Sequence, residues 1–284
     1  MNCQINVNPS QSAYFSHMKN WISIILLLLF TGCNNSSQQK NGASNDYEQI
    51  DEFKVQQALI KKYPDSIELH QQFIDYLDSI KNYNAAIEQL NLLLQKDSLN
   101  QAFWFQKGQL SQKAKDTTTA KKCYRVANSI YPNALYMLSL ANLLAEQKDK
   151  DALIICANVN ILFPGNDHKA DCYFIKGIFY ARINDQTKAN LNLDSCLLTN
   201  YRYIEALMEK GFILFDKHQI SAALAIFEAV IQINPLYADG YFWKGKCFEK
   251  NNNIPAAIEQ YQKAQSLDSD LKEATNALIK LQKK

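Results

Sequence analysis

From Ile204 to Asp270 the chain repeats one residue pattern at an offset of 34 positions. Leu207, Gly211, Leu214, Ala223 and Phe227 return as Tyr241, Gly245, Phe248, Ala257 and Tyr261. A unit that recurs at a fixed period of this length buries its apolar face by stacking on its own copies, which restricts the fold more than any composition does.

The pattern also states its own packing. Two helices approach most closely where both carry small residues, and Gly211, Gly245, Ala223 and Ala257 supply them. Phe227, Tyr241, Phe248 and Tyr261 then fill the space one turn away. His218-Gln219 and Asn251-Asn252-Asn253 interrupt the apolar rhythm and read as tight turns. Pro255 falls in the first turn of the helix after such a turn, where no backbone N–H is needed. Pro235 closes one helix and opens the link to the next pair.

The order aromatic, Gly, aromatic, Ala, aromatic, Pro at this period resembles the tetratricopeptide repeat. The resemblance implies an all-α fold, a right-handed α-solenoid of about six helical hairpins with capping helices at both ends. It places repeats at residues 67–100, 101–134, 135–169, 170–203, 204–237 and 238–271. The second is in register through Trp104, Gly108, Ala120, Tyr124, Ala127 and Pro132. The third aligns only with a shorter hairpin near Lys148 and a longer link at Gly165 to His168. Residues 47–66 and 272–284 are expected to cap the array, the latter with Ala274, Leu278 and Leu281 on one face.

In this family the first helix of each hairpin lines a concave groove. Carried over residue by residue, the inward positions are Phe105 and Gln109; Phe174, Ile178 and Arg182; Met208, Phe212 and Phe215; and Phe242 and Lys246. The first repeat offers Glu68, Gln71, Asp75 and Asp78 instead. The groove is therefore expected to be acidic and polar at its N-terminal end and apolar from the fourth repeat onward. One use of such a surface is to hold an apolar helix or extended segment of another protein. The other reading is that these side chains pack among themselves and tighten the superhelix. The Lys, Asn and Arg ring that grips chaperone C-termini in part of the family is absent from these positions.

The first residues read differently. Trp21 to Phe30 is an apolar run of ten residues, behind Lys19 and ahead of Thr31-Gly32-Cys33. A bilayer core needs about 20 such residues, so the run reads as a secretory signal over 1–32. Leu29-Phe30-Thr31-Gly32-Cys33 resembles the bacterial lipobox. That resemblance implies a lipid on Cys33, which becomes the first mature residue. A plain signal peptide or a buried helix are the alternatives for the same stretch. Met18-Lys19-Asn20 is a better signal start than the polar segment before it, which places the expected translation start at Met18. Residues 33–46, rich in Asn, Ser, Gln and Gly, read as a flexible tether with a span of roughly 20 Å. Asn rather than Asp follows Cys33, which points to the outer membrane, facing the periplasm.

No chemistry stands out. His17, His70, His168 and His218 lack metal-ligand spacing, and no phosphate loop or nucleophile turn is present. Cys123, Cys156, Cys172, Cys196 and Cys247 are an odd number of thiols without a framework spacing. Cys156 and Cys196 occupy places where the repeat wants small or apolar core atoms. A net charge of +2, with both signs interspersed, gives no reason to expect nucleic acid as partner. No cofactor and no metal are expected, and the chain reads as no enzyme. The expected function is that of a membrane-anchored scaffold in the bacterial cell envelope that binds a protein or peptide. The alternatives are self-association into an envelope assembly and, more remotely, an envelope enzyme.

Overall fold

The structure, a computed structural model, describes residues 52–282. The expected signal segment, start site, lipidated Cys33 and tether lie outside these residues. Among the described residues there are 14 helices and no strand.

The reason for hairpins is visible at each turn. In α4 (Gln101–Lys113) and α5 (Thr117–Ile130), one residue between the helices, Lys115, takes φ 64°. The Lys115 N–H donates to the Gln112 carbonyl at 3.0 Å and the Asp116 N–H to the Ser111 carbonyl at 2.8 Å. Together they close the end of the first helix. Asp116 then starts the second, its side chain accepting from the Thr119 N–H at 3.0 Å. The same left-handed residue recurs as Lys81, Lys148, Asn184, His218 and Asn252, with φ between 58° and 63°.

These turns join α2 (Ile67–Ser79) to α3 (Tyr83–Lys96), and α6 (Ala134–Glu146) to α7 (Asp151–Leu162). They likewise join α8 (Lys169–Arg182) to α9 (Gln186–Thr199), and α10 (Ile204–Asp216) to α11 (Ile220–Ile233). The last hairpin pairs α12 (Ala238–Lys250) with α13 (Ile254–Leu267). Single helices stand at the two ends, α1 (Glu52–Lys62) and α14 (Lys272–Gln282).

Within a hairpin the small residue of one helix receives a large apolar side chain of the other. Gly108 faces Tyr124, Gly177 faces Leu193, Gly211 faces Phe227, and Gly245 faces Tyr261. Tyr124, Phe227 and Tyr261 are fully buried by this contact. The two tyrosines find partners for their hydroxyls, Gln112 at 2.9 Å and Glu249 at 2.8 Å.

The core is a chain of clusters rather than one centre. The cluster of Ala189, Leu193 and Cys196 continues into Tyr203 and Ala206 of the next hairpin, and that of Ala257 and Tyr261 into Ala274, Leu278 and Leu281 of α14. Each hairpin therefore rests on its neighbours, as a solenoid requires. The third hairpin is the irregular one: α7 has 12 residues, and a link of irregular residues precedes α8. All five thiols of this region are buried and unpaired. Burial raises Cys123, Cys196 (to about 12) and Cys247 (to about 12).

Candidate groove on the first helices of three hairpins

In α8, α10 and α12 equivalent positions lie 34 residues apart, so Phe174, Met208 and Phe242 form one column and Ile178, Phe212 and Lys246 the next. Between these helices opens a cavity of about 340 Å³, lined by Phe174, Ile178, Met208, Phe212, Tyr237 and Trp243 with Glu146, Glu205, Glu209 and Asp239. Ile178 and Met208 are 2% and 4% exposed and make its floor. Phe174 stands against Tyr203 at 5.0 Å between ring centres, and Phe212 against Trp243 at 4.6 Å. Both phenylalanines are only half-buried, which leaves ring surface open to the cavity. A second depression, beside Tyr241 and α13, is lined by Glu259, Gln260, Gln262, Lys263 and Ser266, flexible polar side chains that define no recognition surface.

The other sequence-predicted groove residues are placed differently. Phe105 packs on Tyr136 at 4.7 Å and Tyr124 at 5.5 Å. Phe215 lies edge-on to Trp243 at 5.4 Å, and Phe242 is buried between Trp243 and Tyr261. Gln109 and Lys246 are half-buried and do not line the cavity. Arg182 borders it and ties three hairpins together. Its Nε donates to Glu146 at 2.7 Å and its Nη1 to Glu209 at 2.5 Å. Desolvation works to lower the guanidinium's pKa, but the hydrogen bonds to Glu209 and Glu146 outweigh it and leave the charge fixed.

At the N-terminal end, Asp78 receives Lys113 at 2.5 Å, and burial raises the carboxyl of Asp75 despite a hydrogen bond from Gln71. Further along, Asp171 accepts from the Tyr203 hydroxyl at 2.9 Å, yet desolvation still lifts it above the usual carboxylate range. Asp239 reaches water at the rim of the cavity, where the surrounding protein raises its carboxyl, first by desolvation and then through Asp268 and Glu273.

The residues that sequence reasoning missed are Trp243, Tyr237 and the acids. Their signal is the period itself: Asp171, Glu205, Asp239 and Glu273 follow one another at 34-residue steps, and so do Glu209 and Trp243. Among the described residues no group of three or more His, Cys, Asp or Glu is placed to hold a metal ion.

The sequence models of the tetratricopeptide repeat match residues 102–134 and 209–271. No curated protein is similar enough in sequence to match the chain. Among solved structures, a tetratricopeptide repeat protein from Parabacteroides merdae is similar over 82% of this chain and 91% of its own, with TM-score 0.67 and 14% identity. PilW, a type IV pilus biogenesis factor, is similar over 74% of this chain and 97% of its own, with TM-score 0.56 and 19% identity. Yeast Tom70 is similar over 81% of this chain and 57% of its own, with TM-score 0.58 and 14% identity. At these identities the likeness is one of fold.

Proposed function

Because the chain is a tetratricopeptide repeat protein, built on a fold that serves protein–protein interaction, we propose that it is a scaffold of the bacterial cell envelope, lipid-anchored at Cys33 and holding an apolar segment of another protein in its groove. The observation that carries the groove is the open ring surface of Phe174 and Phe212 above a buried apolar floor, spread over three successive hairpins. An apolar side chain seated there loses water from both partners, and each aromatic fully covered contributes roughly 1.5–3 kcal/mol. No described helix is long and apolar enough to cross a membrane.

The groove is tested by Phe174→Ala and Phe212→Ala with crosslinking in the native membrane. Loss of a crosslinked partner at unchanged melting temperature supports the reading. Retained capture with a lowered melting temperature assigns both rings to packing and ends it. The anchor is tested separately by palmitate labelling, with Cys33→Ser expected to lose the label and leave the outer-membrane fraction.

Self-association has one observation in its favour. The second helices α7 and α9 expose Ile154 (55%), Ile161 (74%), Leu162 (58%), Leu191 (66%) and Leu198 (88%). Light scattering on Ile161→Lys and Leu198→Lys decides it: a higher-order species that these changes dissolve favours stacking of copies.

A further inference from the structure

We propose that Cys156 of α7 and Cys172 of α8 are an oxidisable pair that closes to a disulfide and staples the third hairpin to the fourth. The inference goes beyond the groove and the anchor and rests on neither. Among the described thiols these two share one core cluster, while Cys196 and Cys247 lie in two others. The Cys172 thiol donates to the Cys156 carbonyl at 3.6 Å, in a buried contact between residues 16 positions apart. The two thiols also meet each other. When Cys172 ionises, the Cys156 S–H donates to it, which raises Cys156 and lowers Cys172. Lys176, one turn further along α8, lowers Cys172 as well. Cys172 is therefore the thiol that becomes the nucleophile.

The bridge joins the array where it is least regular. Between α7 and α8 runs the link of residues 163–168, in which Gly165 takes φ 144° and faces open space. Phe174 and Ile178 of the cavity follow Cys172 on α8, so a bond at Cys172 fixes the helix that carries them. The oxidant is an external disulfide, either glutathione disulfide or that of a thiol oxidoreductase. The Cys172 thiolate attacks one of its sulfurs and expels a thiolate, which takes up the proton Cys172 gave to solvent. Cys156 then loses its own proton and displaces the second external thiol. Two protein thiols are oxidised to one disulfide, and the external disulfide is reduced to two thiols. The exchange takes place as the chain folds, before the pair is covered, and an oxidising compartment preserves the product. The simpler reading makes each cysteine a small apolar filler, as Cys123 is. That reading gives this pair no preference over the others under oxidation.

The test refolds the full chain from urea, in detergent, in mixtures of reduced and oxidised glutathione, and traps free thiols with iodoacetamide. Trypsin cuts after Lys169, between the two cysteines, so the bridge appears in mass spectrometry as two joined peptides. The joined Cys156 and Cys172 peptides are expected, with Cys123, Cys196 and Cys247 alkylated. The oxidised protein should melt roughly 5–10 °C above the reduced one, and proteolysis within residues 163–168 should slow at least tenfold. Cys172→Ala should abolish both differences. If that variant fails to fold, the parent's two redox forms still carry the comparison. Alkylation of both cysteines at every glutathione ratio, or bridges distributed among several pairs, overturns the proposal. A Cys156–Cys172 bridge that lowers the melting temperature overturns it too, since the bond would then strain the two helices rather than staple them.

Discussion

Gly211 has no room for a methyl group. A Cβ built on it lies 2.5 Å from a ring carbon of Phe227, and Phe227 is fully buried, so the ring cannot swing clear. In an exposed helix Gly→Ala stabilises by about 1 kcal/mol. Here overpacking is expected to reverse the sign, and Gly211→Ala should cost about 1–3 kcal/mol in urea unfolding. Asp239 yields a prediction of the opposite sense. Its carboxyl is raised in the folded state, so the native protein holds that proton more tightly than the unfolded chain does. The ionised form is therefore a burden at pH 7, and the burden lifts as the pH falls through the raised folded value toward the unfolded one. Asp239→Asn is expected to raise the urea midpoint at pH 7, with the gain shrinking toward pH 4. A midpoint lowered at pH 7 would show that the dipole of α12 outweighs the repulsion. The glycines were legible in the sequence because close approach leaves one residue type to choose. The acids were not, since a lone exposed carboxylate in a helix's first turn looks like any other until the stacked helices bring its equivalents together.

At the scale of elements, what holds for one hairpin holds for its neighbours. The six left-handed turn residues are Lys81, Lys115, Lys148, Asn184, His218 and Asn252, and none is Gly. A side chain in that conformation costs roughly 1 kcal/mol, with Asn the best tolerated. Lys115→Gly is accordingly expected to stabilise by about 0.5–1 kcal/mol, part of the relief being returned as extra freedom of the unfolded chain. Calorimetry of the variant, where the melting temperature should rise, measures the difference. The turns could be read in advance because polar pairs such as His218-Gln219 and Asn251-Asn252 break a 3.6-residue apolar rhythm. Which groove residues remain open could not be read in this way. Phe242 and Trp243 are adjacent in the chain, and the family pattern points to Phe242. The packing instead buries Phe242 against Tyr261 and turns Trp243 toward Phe212. One helix contributes either residue with a small rotation, and the rotation is decided by the neighbouring hairpin rather than by the helix's own sequence.

For the whole array, small rotations between hairpins add up. They bring the turn of the first hairpin to the link that precedes α14, where Lys81 Nζ lies 2.7 Å from Asp270 Oδ2 across 189 residues of sequence. Both side chains are well exposed, 64% and 71%, so the pair adds little to stability. Its interest is as a contact between the two ends of a spring. Hydrogen bonding to Asp270, then its charge and that of Asp268, hold the Lys81 ammonium above the ordinary lysine range. Lys81→Glu puts a third acid beside those two, and the ends are expected to part. Small-angle scattering should then show a larger radius of gyration for the variant than for the parent at 50 mM salt. At 0.5 M salt, with the Debye length reduced to about 4–5 Å, the parent should expand toward the variant. If the curl is set by helix packing alone, neither the substitution nor the salt will change the radius. The outcome bears on the proposed binding because the cavity lies between the first helices of three successive hairpins. If the ends part, a partner proposed to enter the cavity should bind the variant more readily than the parent, which titration of both proteins would show.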